Sequence, residues 1–143
     1  MENNSFASQI RRNIVALLSL TVAVTALFYN TWRNESTEKN RNIRVAEFEI
    51  LKNLGELQQI IDFAHFRKDQ QRGDLTIGLN RVLLIHDLAA LAPKPVEDAS
   101  DKLLAVWRMN DEKLNTSLDA ASALSEQVLV TRRIVLESLR SLK

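Results

Sequence analysis

Asn13-Ile-Val-Ala-Leu-Leu-Ser-Leu-Thr-Val-Ala-Val-Thr-Ala-Leu-Phe-Tyr-Asn-Thr-Trp32 contains no charged residue and follows directly on Arg11 and Arg12. A helix over this run is about 30 Å long at about 1.5 Å per residue, which matches the hydrocarbon core of a bilayer. Ser19, Thr21 and Thr25 can return their hydroxyls to carbonyls of the same helix, so they cost little in lipid. Tyr29 and Trp32 stand where the run ends and suit the headgroup layer, with Arg33 beyond them in water. A cleaved export signal is the competing reading, since Val24-Thr25-Ala26 offers small residues near a processing site. The run continues through Leu27 and Phe28 to an aromatic anchor, which favours an uncleaved span. The Arg11-Arg12 pair lacks the rest of a twin-arginine signal and reads as two flanking charges.

Outward from the span, the sequence divides into a tail (1–12), a transmembrane helix (13–32) and a domain (33–143). The expected partners begin with the lipid bilayer. Two arginines in a short tail favour a cytoplasmic amino terminus and an external domain. A count of Arg33, Lys39, Arg41 and Arg44 on the other flank points the opposite way. The domain is longer than the loops to which that count applies, so the external placement is the expectation and the cytoplasmic one its alternative.

Of the 143 residues 45% are hydrophobic, and the net charge is +1. Setting aside Arg11, Arg12 and Glu2 leaves seventeen basic and seventeen acidic residues beyond the span, interspersed. A nucleic-acid partner normally leaves a basic footprint, so none is expected. The remaining partner class is another protein or a second copy of the chain. Cysteine is absent, which removes disulfides and thiol catalysis but leaves the compartment open. Three Gly and two Pro in the whole chain imply few, long helices.

The domain reads as all-α. Ile43, Ile50, Leu54, Leu57, Ile61 and Ala64 form one apolar seam, widened by Phe48, Leu51 and Ile60, on a helix expected to reach about Gln70. Gly55 costs about 1 kcal/mol inside that helix, and close approach of a neighbouring helix is the ordinary compensation. Gln71-Arg-Gly-Asp74 is a break, with Gly73 in the left-handed conformation that ends a helix and Asp74 capping the next. Arg72-Gly73-Asp74 also spells an adhesion tripeptide, which a helix turn accounts for fully. The second helix, to about Leu91, is expected to place Leu75, Leu79, Val82, Leu83, His86 and Ala89 on one side, with Leu84, Leu88 and Leu91 on its flank. Pro93 and Pro95 interrupt the chain, and a third helix restarts near Asp98 or Ser100 with Leu103, Leu104 and Trp107 inward. Leu114, Leu118, Ala121, Val128, Val135 and Leu142 keep one stripe to the end. Asn115-Thr-Ser117 form helix poorly, and Thr116 with Asp119 resembles a capping box. The expectation is an antiparallel bundle of four helices, the alternative three with a very long last one.

Candidate sites are few. His65 and His86 are the only histidines, with Asp62, Asp69 and Asp87 nearby. A polar pocket or metal site would need their two helices to face each other. The Glu-x-x-His spacing of bundle metal sites is missing, so the ordinary reading is one histidine at the edge of each apolar face. No metal or other cofactor is expected. Arg132, Arg133, Arg140 and Lys143 complement the negative end of the last helix, or touch anionic headgroups if that end returns to the bilayer. No phosphate loop, nucleophile–base set or paired acids stand out, so no catalytic residue is nominated and no enzyme expected. The residues joining anchor and domain, Trp32, Arg33, Asn34, Glu35 and Arg41, form a dense polar signature and are the candidates for interaction.

Tyr29-Asn-Thr-Trp-Arg-Asn-Glu35, continuing into Thr37-Glu-Lys-Asn-Arg-Asn-Ile43 and Leu54-Gly-Glu-Leu-Gln58, resembles a group of small single-pass membrane proteins of bacteria. The likeness runs more loosely through Asp87-Leu88 and the proline break to Leu136-Glu-Ser-Leu-Arg-Ser-Leu142. It implies a bacterial inner membrane, and no catalytic residue can be carried over from it. A coarser resemblance is to four-helix sensing domains of bacterial receptors, which have a second span and a signalling module not found in this sequence. Two functions follow as expectations: an anchored accessory, scaffold or regulatory module, or a small-ligand sensing bundle. An exposed apolar stripe would favour the first and a buried polar pocket the second.

Overall fold

A computed structural model describes residues 6–142, with side chains from residue 13 onward. The side chains of Arg11 and Arg12, and the whole of Lys143, lie outside the described residues. Four α-helices are present: α1 (Phe6–Asp62), α2 (Leu75–Ala89), α3 (Lys94–Asn110) and α4 (Leu118–Ser141). A π turn over Phe63–Arg67 follows α1, and a 3-10 turn over Asp111–Lys113 precedes α4. There is no strand among the described residues. The chain forms two compact units, 1–39 and 40–143.

From Phe6 onward the first unit is one helical stretch whose apolar part is exposed along its length, with a mean hydropathy of 1.8 in its most apolar window. By length and composition this part of α1 suffices to cross a membrane. Ser19 Oγ, Thr21 Oγ1 and Thr25 Oγ1 donate to the carbonyls of Val15, Leu17 and Thr21 at 2.8, 2.9 and 2.8 Å. The polar atoms inside the apolar run are therefore satisfied without water.

The second unit is a bundle. Arg44 Nη2 donates to Leu142 O at 2.8 Å, Gln58 Nε2 to Ser125 Oγ at 3.0 Å, and His65 Nδ1 lies 2.8 Å from Leu114 O. As numbers rise along α1 they fall along α4, so the two helices run antiparallel. Arg81 of α2 reaches Glu56 and Asn53 of α1, His86 of α2 reaches Asp101 of α3, and α3 packs against both α2 and α4. Ile50, Leu54, Leu57, Ile61, Val82, Ile85, Leu103, Trp107, Leu114, Leu124 and Val135 make one continuous core. Each fully buried Leu or Ile stabilises the fold by roughly 1.5–3 kcal/mol.

The seam expected on α1 is buried throughout, except that Phe48 is exposed and Leu51 only half-buried. Asp74 caps α2 as expected, accepting from Thr76 N at 2.7 Å and Ile77 N at 3.4 Å. The glycines act differently from the expectation. The left-handed residue that ends the first helical stretch is Lys68, at φ 53°, not Gly73. Gly73 is instead pressed onto the π turn that follows α1: a Cβ there would lie 2.4 Å from Ala64 N. Gly55 faces open space, with nothing within 4 Å of a Cβ. The close helix approach occurs at Gly78, where a Cβ would lie 2.3 Å from Trp107 Cη2. The absent side chain of Gly78 makes the slot that Trp107 fills.

Two boundaries also differ. The third helix begins at Lys94, with Pro93 as its N-cap and Pro95 in its first turn. Proline is tolerated there because the first N–H groups of a helix have no internal acceptor. Ser117 caps α4, its Oγ accepting from Ala120 N at 3.2 Å, where Thr116 was expected to serve.

Candidate interaction surface

The outward faces of α2 and α4 follow from what those helices bury. On α2 the buried residues are Gly78, Val82, Ile85 and Ala89, spaced four, three and four. This stripe is rotated from the expected one, because Trp107 requires Gly78 at the interface. Leu83, Leu84 and Leu91 are consequently exposed, and so is Ile77, while His86 is only half-buried. Ile77 and Leu84 stand seven residues apart and so share one face of α2, and Leu91 follows in the turn after the helix, with 63% of its surface open.

On α4 the inward residues are Ala120, Ala121, Leu124, Val128, Thr131 and Val135. Opposite them Leu129 and Leu136 are exposed, and with Arg132, Arg133, Glu137 and Arg140 they line a shallow groove. The exposed Leu118, expected inside, begins the same helix. On the second unit's part of α1, Val45 and Phe48 are also exposed. Single exposed leucines are ordinary on a protein surface, but seams of them along a helix mark contact surfaces.

The sequence-nominated polar residues take separate places. Tyr29 and Trp32 lie in ring contact, centroids 6.3 Å apart at 47°, both exposed. Arg33, Asn34, Glu35 and Arg41 are exposed, and Arg33 O accepts from Thr37 Oγ1 at 2.9 Å. His65 donates from Nδ1 to Leu114 O and packs edge-on against Phe66, with centroids 4.8 Å apart. His86 Nε2 lies 3.1 Å from Asp101 Oδ1, and its Nδ1 lies 3.7 Å from Asp87 Oδ1. The two histidines thus serve different helix junctions and are not brought together. Among the described residues no group of three or more His, Cys, Asp or Glu is arranged to hold a metal ion.

The bundle also buries polar groups that the sequence reading did not mark. Glu47 is fully buried on α1, and neither carboxylate oxygen has a hydrogen-bond partner. Burial pushes its carboxyl above the ordinary value, and the nearby Ser138 hydroxyl offsets this in part. Ser138 Oγ is itself buried without a hydrogen bond. The available signal was spacing, since Glu47 occupies the seam between Ile43, Ile50 and Leu54. By contrast Asn53, also buried, is satisfied by Glu49 O at 2.8 Å and by Arg81 Nη1 at 3.1 Å. A second open groove, between α1 and α2, has Phe63 beneath the Arg72 guanidinium at 5.3 Å and Arg81 held by Glu56 at 2.8 Å. Both arginines there already have carboxylate partners, Asp69 and Glu56.

No protein-family model, curated protein or solved structure matches this chain.

Proposed function

We propose that this chain is a membrane-anchored helical interaction module, an accessory, scaffold or regulatory part of a larger assembly in a bacterial inner membrane. The observation that carries the reading is the aliphatic seam on the outer face of α2, with a second on α4, beside an interior filled by Trp107 and its neighbours. Aliphatic side chains in water favour a partner surface, and none of the groups described pairs a nucleophile with a base. The apolar part of α1 serves as the anchor, with Tyr29, Trp32 and Arg33 at the interface and Arg11 and Arg12 on the cytoplasmic side. The bundle then lies on the periplasmic side. Asn34, Glu35 and Arg41 are a second place for contact, next to the anchor.

The ligand-sensing reading draws on Glu47 and its neighbour Ser138, whose side-chain oxygens are buried without a hydrogen bond. His65 and His86 give it no support, as neither lines the two grooves described.

The test is photo-crosslinking in cells from residues placed at Leu84 and Leu136 of the full chain. Protein adducts in a membrane fraction that resists alkaline washing are expected. A chain released by the wash removes the anchor, and absence of any protein adduct removes the interaction module. Carboxyl-terminal fusions settle the side: an active alkaline phosphatase with a dark fluorescent protein is expected, and the reverse places the bundle in the cytoplasm.

A further inference from the structure

Glu47 stands on the seam of α1, fully buried, and neither of its carboxylate oxygens has a hydrogen-bond partner. The last turns of α4 cover it. Ser138 Oγ, the polar atom beside it, is buried and equally without a hydrogen bond. Three residues earlier on the same side of α1, Arg44 reaches the end of α4 and donates from Nη2 to Leu142 O at 2.8 Å. An ionised carboxylate sealed from water with no donor costs several kcal/mol, so this position demands either a proton or an opening to solvent.

Among the described residues no charged side chain serves as an alternative partner. On α1, Glu49 is paired with Lys52 at 3.7 Å. On α4, Glu137 and Arg140 lie in the outer groove with Leu136. At the start of α3, Lys94 is engaged by Glu97 and Asp98, each at 3.2 Å, and Asp87 near the end of α2 stands beside His86. Burial and the Ser138 hydroxyl are accordingly the two influences on the Glu47 carboxyl, burial the larger, and the group keeps its proton above the ordinary value. Its cover is also the least secured part of α4. Ser138, Leu139 and Leu142 are only half-buried, and helix ends open at lower cost than a core.

We propose that Glu47 is a proton-operated latch on the last turns of α4: protonated, it keeps them docked on α1, and on losing its proton it releases them. In the closed state the neutral carboxyl can donate its O–H to Ser138 Oγ, and Arg44 holds Leu142 O. In the open state Glu47 and Arg44, three residues apart on one side of α1, reach water and pair with each other. Opening bares Ile43 and Ala46 of the α1 seam, which the closed state buries. Burial determines the direction: the closed state binds the proton more tightly, so acid closes the latch and rising pH opens it. The device needs no partner, so it stands or falls apart from the interaction-module reading.

Hydrogen exchange of the full chain in detergent micelles tests the latch, read by mass spectrometry across acid to mildly alkaline pH and corrected for intrinsic exchange. Protection over residues 133–142 is expected to fall by up to about tenfold per pH unit once Glu47 ionises, the limit for one linked proton, while residues 118–131 keep theirs. Glu47→Gln is expected to keep the closed protection across the range. Glu47→Leu, which also has no proton to lose, provides the same comparison should the glutamine variant not fold. The chain has no cysteine, so Leu139→Cys supplies a single thiol for an independent readout. Its labelling is expected to quicken as pH rises, after correction for thiol ionisation, only where Glu47 is present. Flat protection over 133–142, a fall shared by the whole bundle, or a fall that survives Glu47→Gln or Glu47→Leu overturns the proposal.

Discussion

The bundle part of α1 and the whole of α2 are both apolar helices, yet they dispose of their apolar residues in opposite ways. Alpha-helix α1 buries its seam from Ile43 to Ile61 and even draws a carboxylate, Glu47, into it. The inward stripe of α2 consists of Gly78, Val82, Ile85 and Ala89, while Ile77, Leu83, Leu84 and Leu91 stay outside. The difference originates at Trp107, which needs the space over Gly78 and so sets the rotation of α2. A helix with apolar residues on more than one side has one face chosen by the core, and the other stays exposed.

The comparison would break first at Trp107. Trp107→Ala should cost about 3–5 kcal/mol, read as the loss of cooperative unfolding in the full chain in detergent micelles, because it empties the centre of the core. A small effect would mean that Gly78 does not set the rotation of α2. Gly78→Ala should destabilise by about 1–3 kcal/mol through overpacking against the indole, outweighing the helix-propensity gain of about 1 kcal/mol.

Glu47→Gln addresses the other side of the comparison. Burial holds the Glu47 proton more tightly in the folded chain than in the unfolded one. Its favourable contribution is therefore complete below the ordinary value of 4.5 and is lost as pH rises through the higher folded value. The glutamine variant lacks this loss, so its stability relative to the parent should increase from pH 4 toward neutrality. A difference that stays flat with pH would show that water reaches the carboxylate.

Gly55→Ala should stabilise by about 0.5–1 kcal/mol, the opposite sign to Gly78→Ala, because its side faces open space. Smallest is Leu91→Ser, expected within about 0.5 kcal/mol of the parent in the isolated chain, since an exposed residue carries little of the fold. A larger loss under non-associating conditions would place Leu91 in the core of its own bundle and sharpen the assignment of the two faces.

Periodicity made the α1 seam legible because its apolar residues stand on one side among charged neighbours. It misread α2, where leucines occur all round and no charge pattern separates inside from outside. Gly73 and Gly55 were misread for a related reason: a glycine is silent about whether it supplies a backbone angle, a close approach or neither. Of the candidate sites, sequence marked the anchor residues and the histidines, but missed Glu47 and the outer seams.

By itself the sequence determined the helical class, the apolar segment of α1, the breaks near 68–74 and 90–93, and the seam that α1 turns inward. These depend on neighbours three or four residues away. Only the tertiary structure decided which face of α2 is hidden, which glycine admits Trp107, and that Glu47 is buried without a partner. Those outcomes depend on a side chain from another helix, and packing volume between helices is not written in the period of either one.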